Sequence, residues 1–246
     1  MNNIQETLLF PVKDEEARKQ FLLACLAVLA GYIIPILPFL ILTGYCARIM
    51  RQIIDERKSP SMPEWQASDW SEMFADGVRL YGAQLVLMLP LLLLMGCGFL
   101  SMMGGSITMS IALDERANEL VSIGLLFFLV GIGFMMLFSL LSLPYGIILT
   151  AVGPHVVTKR SFEAAFQFKD WWKIFRKGIG QFLLSYAVIL VLSFIFVFVI
   201  QFAMITIVLM CIVPLIMIPY TAYLSLIANT LYAQAYVAGS DARGTE

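Results

Sequence analysis

The sequence predicts an all-α integral membrane protein, with six transmembrane helices in three two-helix pseudo-repeats and amphipathic helices at the interface. Three observations carry the prediction. Asp, Glu, Lys and Arg are absent from Gln20–Ala47, Leu80–Leu113, Leu120–Thr158 and Gly178–Ser240. Hydrophobic residues are 60% of the 246-residue chain and charged residues 13%, about half the roughly 25% of ordinary soluble domains. The basic residues between the apolar runs fall almost entirely on one side when the runs are threaded through a bilayer. A span takes ~20 apolar residues, so we read one polytopic membrane domain over 1–246 with no large soluble part.

Met1–Gln20 is polar and acidic and lacks the basic start and small-residue cleavage site of a secretory signal, so no removable signal is expected. The first apolar stretch contains Pro35 and Pro38, which remove donors and crowd the preceding turns. It reads as a hairpin of two short spans, Arg18–Ile34 and Pro35–Ile54; a single span here would give five overall. Pro63–Leu80 is expected to lie on the membrane surface as a separate amphipathic helix. In it Asp69 caps the first turn with Glu72 three residues on, and Trp70, Met73, Phe74 and Tyr81 share a face. Gly77–Met102 follows as a span. The extracytoplasmic loop Ser101–Asn118 turns at Gly104-Gly105 and carries Asp114 and Glu115 beside Arg116. Glu119–Val152 is the fourth span. Ser161–Lys177 is the second interfacial element, and Gly178–Met204 and Ile205–Val237 are the last spans, before a short polar tail, 239–246.

Internal similarity supports three units, about 8–58, 63–158 and 161–238. The pattern D-W-x-x-x-F-x-x-G occurs at Asp69–Gly77 and again at Asp170–Gly178, and Phe10–Asp14 weakly resembles Phe166–Asp170. Leu37-Pro38-Phe39, Leu143-Pro144-Tyr145 and Ile218-Pro219-Tyr220 recur late in each unit, which makes Pro38, Pro144 and Pro219 candidates for helix breaks or gating points at similar depth. With six spans every Lys and Arg of the 16 except Arg116 falls on one side; five spans move Lys13, Arg18 and Lys19 across to join it. The positive-inside rule therefore favours six spans in the cell membrane with both termini cytoplasmic.

All four tryptophans, Trp65, Trp70, Trp171 and Trp172, lie in the two interfacial segments, where an indole keeps one edge apolar and one wet. Simple anchoring explains them. A sharper reading adds recognition of anionic lipid or a partner by Lys169, Lys173, Arg176 and Lys177, with Phe74 among the contact candidates.

Reactive chemistry is sparse. Proton relays and ion sites need ionisable groups within spans. In-span polar groups here are Gln84, Gln181, Gln201, Asn229 and Gln234 with scattered Ser and Thr, suited to bonding between helices. The lone His155 reads as a helix-end residue in an interfacial loop, and Asp69 and Asp170 as helix caps rather than an acid–base pair. Cys25, Cys46, Cys97 and Cys211 have no zinc spacing, and the many Met residues read as packing. No catalytic residue, cofactor or metal site is expected, and a net charge of −1 offers nothing to nucleic acid.

Leu8-Leu9-Phe10-Pro11, Gly44-Tyr45-Cys46-Ala47-Arg48, Pro63-Glu64-Trp65, Phe74-Ala75-Asp76-Gly77 and Ser161–Phe166 together resemble the domain-of-unknown-function family 4013, multi-span membrane proteins of bacteria and archaea. The resemblance implies no activity and no catalytic residue. The layout is also faintly similar to the membrane domain found with glycerophosphodiester phosphodiesterases, which implies lipid association, but this chain has no soluble catalytic domain. The expectation is a non-enzymatic scaffold or accessory subunit whose partners are membrane lipids and other membrane subunits. The alternative is handling of lipid or small uncharged solutes through a cavity lined by Gln84, Tyr145 or Asn229.

Overall fold

A computed structural model describes residues 4–115, 118–205 and 212–241. Among these residues the chain is helical and contains no strand. The helices are α1 (Ile4–Leu9), α2 (Glu15–Ile33), α3 (Leu37–Ile54), α4 (Trp70–Glu115), α5 (Asn118–Leu149), α6 (Val152–Lys159), α7 (Phe168–Lys177), α8 (Ile179–Met204) and α9 (Val213–Asp241), with short 3₁₀ turns at Phe10–Val12, Ala67–Asp69 and Phe162–Phe166. Five stretches are long and apolar enough to cross a membrane: Leu37–Ile54, Trp70–Leu113, Glu119–Lys159, Ile179–Met204 and Val213–Asp241.

Five of the six expected spans overlap these stretches among the described residues; the first, α2, is not one of them, because Glu15, Glu16, Arg18 and Lys19 occupy its first turns. Asp14 starts α2 by accepting the Ala17 N–H at 2.7 Å. The helix stops at Ile33 as the chain approaches Pro35. The link to α3 is only Ile34–Ile36, closed by the Leu37 N–H on the Pro35 carbonyl at 3.0 Å, and it holds Ile36 at φ 77°. Pro38 sits in the first turn of α3, where its missing N–H is not needed. It begins a helix rather than breaking one, so it is not equivalent to Pro144 and Pro219, which lie inside α5 and α9. Pro90 lies inside α4 in the same way.

Two expected breaks in the helices are absent. The amphipathic segment before Leu80 is the first part of α4, with no break between it and the apolar run. Gly104 and Gly105 continue α4 as far as Glu115, and Gly105 serves close packing on α5 rather than a turn. α8 ends at Met204, where the boundary between the last two spans is expected, while Arg116, expected in that loop, and Met210 and Cys211 lie outside the described residues.

The chain divides into two compact units, one of Met1–Gln84 with Ile147–Glu246 and the other Leu85–Gly146. In the first unit α9 is central and packs on α3, α8 and α2, with α6 and α7 against its flank. Tyr45, Ile49 and Met50 of α3 are buried with Leu226, Ile227 and Leu231 of α9 and Phe182 of α8. The N-terminal segment joins the far end of the chain: Thr7 and Gln234 side chains bond at 3.0 Å, and the Tyr223 hydroxyl donates to the Leu8 carbonyl at 2.9 Å.

The second unit is an antiparallel hairpin of α4 and α5 locked by small residues. A Cβ on Gly105 would lie 2.6 Å from the Gly124 carbonyl oxygen, and one on Gly131 would lie 2.8 Å from that of Gly98. Between them the Ser101 hydroxyl donates to the Phe127 carbonyl at 2.8 Å.

Candidate functional site

A cluster of charged side chains in the first unit forms where α3 meets the start of α4. Gly44 and Gly77 bring these helices into backbone contact, since a Cβ on Gly44 would overlap the Met73 carbonyl and one on Gly77 the Leu40 carbonyl. That approach aligns two charge series at helical spacing. Arg48 pairs with Asp69 at 2.6 Å, and Arg51 pairs with Glu72 at 3.0 Å and with Asp76. Arg79 also reaches Asp76, at 3.1 Å, and Arg160 reaches Glu72 at 3.9 Å. A cavity of about 220 Å³ lies among these groups, lined by Gly44, Met73 and the five charged residues from Arg48 to Asp76 named above.

Burial sets the strength of the cluster. The Asp76 side chain is 8% exposed and that of Arg51 15%, so the loss of either would strand a charge away from water. The Asp69 carboxyl is held below its usual range by the hydrogen bond from Ser68 and then by Arg48. Its side chain thus serves Ser68 and Arg48 rather than the expected helix cap. A guanidinium offers only donors, so each carboxylate here is occupied as an acceptor. The chemistry is that of an electrostatic latch between helices.

The same helices hold the loop between them. The Tyr45 hydroxyl donates to the Pro63 carbonyl at 2.8 Å, Trp65 packs on the Tyr45 ring at 4.7 Å, and the Trp65 N–H donates to Gln20 of α2 at 3.2 Å. Trp65, expected as a surface contact, is therefore a partly buried staple.

The second D-W-x-x-x-F-x-x-G copy builds a related joint. Gly178 separates α7 from α8 and packs on α9, where a Cβ on Gly178 would lie 3.2 Å from the Ala235 carbonyl oxygen and one on Gly239 would lie 2.5 Å from that of Ile174. Trp171, another expected contact residue, points inward at 4% exposure and donates its indole N–H to the Ala165 carbonyl at 3.1 Å. Asp170 lies within the first turn of α7, whose cap is Gln167, so it is not the cap residue. Lys169, Trp172, Lys173, Arg176 and Lys177 are exposed, as are Trp70 and Phe74 on α4.

His155 also departs from expectation. It lies inside α6, buried, with Nδ1 2.9 Å from the Tyr236 hydroxyl of α9. Tyr145 donates to the Leu87 carbonyl and Asn229 to that of Ser225 at 2.8 Å. A cavity of about 620 Å³ is lined instead by residues around Glu6, Arg57, Gln234 and Asp241, with Arg57 and Asp241 joined by two bonds of 2.7 and 3.0 Å. Among the described residues no group of His, Cys, Asp and Glu could hold a metal ion.

The residues that sequence reasoning missed are Arg51 and the pairing of Arg48 with Asp69. Their signal was present: Arg48 and Arg51 are spaced i, i+3, and Asp69, Glu72 and Asp76 i, i+3, i+7, so each series lies along one helical face. Comparisons with curated proteins and with solved structures gave no match. The sequence profile described as "Protein of unknown function (DUF4013)" matches residues 27–209, a span that contains the whole α3–α4 cluster. The chain therefore belongs to the family of proteins of unknown function designated DUF4013.

Proposed function

We propose that this protein is a non-enzymatic six-span scaffold or accessory subunit of a larger membrane assembly, with both termini in the cytoplasm. The observation that carries the proposal is how little of its most apolar surface the chain covers itself. The most apolar windows of α4, α5 with α6, and α8 are buried for only 11%, 11% and 6% of their length. Lipid can cover such faces, and so can other subunits, while the ionic latch and glycine contacts fix the helices that present them. The polar residues drawn together at α3 and α4 are occupied with one another, which suits a structural role.

Three features support α2 as the sixth span. It packs on α3 and α9, it reverses direction through only three residues, and the chain before it bonds to α9 near the C-terminal end of that helix. The paired glycine joints at Gly44/Gly77 and Gly178/Gly239 support the repeat reading. The test is extraction from native membranes in mild detergent and mass spectrometry of what remains bound. Protein partners at fixed stoichiometry are expected. A monodisperse, partner-free preparation with its own turnover would sink the proposal.

A further inference from the structure

We propose that the exposed face of α7 binds anionic phospholipid headgroups of the leaflet in which α8 begins. The proposal rests on α8 as a membrane span and is independent of whether partner subunits exist. Position comes first. The Gly178 N–H closes α7 on the Ile174 carbonyl at 2.9 Å, and the Gly178 carbonyl accepts from Gln181 and Phe182 in the first turn of α8. No linker separates the two helices, so α7 is held at the level where the apolar helix starts.

Orientation follows from burial. Trp171, Ile174 and Phe175 face inward, and Gly178 packs on Gly239. That leaves Phe168, Lys169, Trp172, Lys173 and Arg176 outward. An outward face that mixes aromatic rings with cations matches the headgroup boundary, where rings sit among acyl chains and ammonium groups reach phosphate.

Charge selects the lipid. On α3 and α4 the cations are neutralised inside the protein, Arg48 by Asp69, Arg51 by Glu72 and Asp76, and Arg79 by Asp76. Lys169, Lys173 and Arg176 form no ion pair among the described residues. The carboxylates nearest in sequence are Asp170 and Glu163, both exposed. Three cations held at the boundary complement an anionic leaflet, at up to about fivefold in affinity for each residue at low salt.

The test reconstitutes the purified full chain in phosphatidylcholine vesicles containing brominated phosphatidylglycerol or brominated phosphatidylcholine. Tryptophan quenching is measured in the wild type and in Trp172→Phe, and the difference isolates Trp172. We expect the anionic lipid to quench at about fivefold lower mole fraction in about 0.02 M salt. The preference should vanish in about 0.5 M salt, where screening is short-ranged, and in the K169Q/K173Q/R176Q variant. The salt titration needs only the wild type and Trp172→Phe, so it reads the proposal even if the triple variant folds poorly. Equal quenching by the two lipids in wild type at low salt, or a preference that survives high salt or the triple substitution, would overturn the assignment. Neither result depends on partner subunits, so it is separable from failure of the scaffold reading.

Discussion

Gly44 of α3 rests directly against the backbone of Met73 in α4, with no room for a Cβ between them, and Gly77 of α4 makes the reciprocal contact with Leu40. This mutual approach is what lets Arg48 and Arg51 reach Asp69, Glu72 and Asp76. Helix contact and ionic latch are one structure.

Alanine at either glycine should therefore be costly. Gly44→Ala and Gly77→Ala each force two backbones apart, and overpacking of this kind costs about 1–3 kcal/mol or more. Gly180→Ala, with nothing within 4 Å of its added methyl, should be neutral or slightly stabilising. Thermal unfolding in detergent distinguishes the three, and an unaffected Gly77→Ala would refute the close contact.

The partly buried Arg51–Asp76 pair predicts strong coupling. Arg51→Met or Asp76→Leu alone strands a charge, a loss of about 3–5 kcal/mol where burial is complete and less here because Arg79 also faces Asp76. The double substitution should cost less than the sum of the singles. Strict additivity in a double-mutant cycle would mean the two residues do not interact.

Asp69 gives the latch a pH dependence of known sign. Its carboxyl is depressed in the folded state by Ser68 and Arg48, so the stability it adds is fully present above the unfolded value of about 3.9. That stability disappears as pH falls through the lower folded value. Asp69→Asn should be less stable than wild type at neutral pH, and the gap should close in acid. A gap that stayed constant down to about pH 2 would exclude this role.

The sequence made part of this architecture legible. Charge-free runs located the long helices, because exposure to lipid leaves no alternation to decode, and the Pro35/Pro38 pair marked the α2–α3 reversal. The Gly104-Gly105 pair misled, because glycine in a lipid-facing helix can mark a helix crossing as readily as a turn. Trp171 and Trp172 are adjacent and chemically identical, so only the phase of α7 against α9 decides that one is core and the other surface. The α3–α4 latch was half visible, as two charge series whose pairing across two helices needs the tertiary approach of Gly44 and Gly77.

The tight α2–α3 link predicts a stabilising substitution. Ile36 is a β-branched residue at φ 77° and ψ −59° and is 62% exposed, a strained γ-turn conformation that costs about 1–3 kcal/mol. Ile36→Gly should relieve this at no packing cost, offset in part by the freedom glycine gains when unfolded. A net gain of up to about 1 kcal/mol in detergent unfolding is expected. A clear loss would argue against the reversal at this position.

The apolar faces left open on the helices are proposed to meet other subunits. A photo-crosslinking amino acid placed at Leu126 of α5 or at Phe194 of α8, which are 62% and 67% exposed, reads this directly in native membranes. Subunit contact should leave a discrete protein adduct of reproducible mass at one or both positions and none at the buried Leu226. Lipid-sized adducts alone at both exposed positions, under conditions where the full chain is intact, would contradict it.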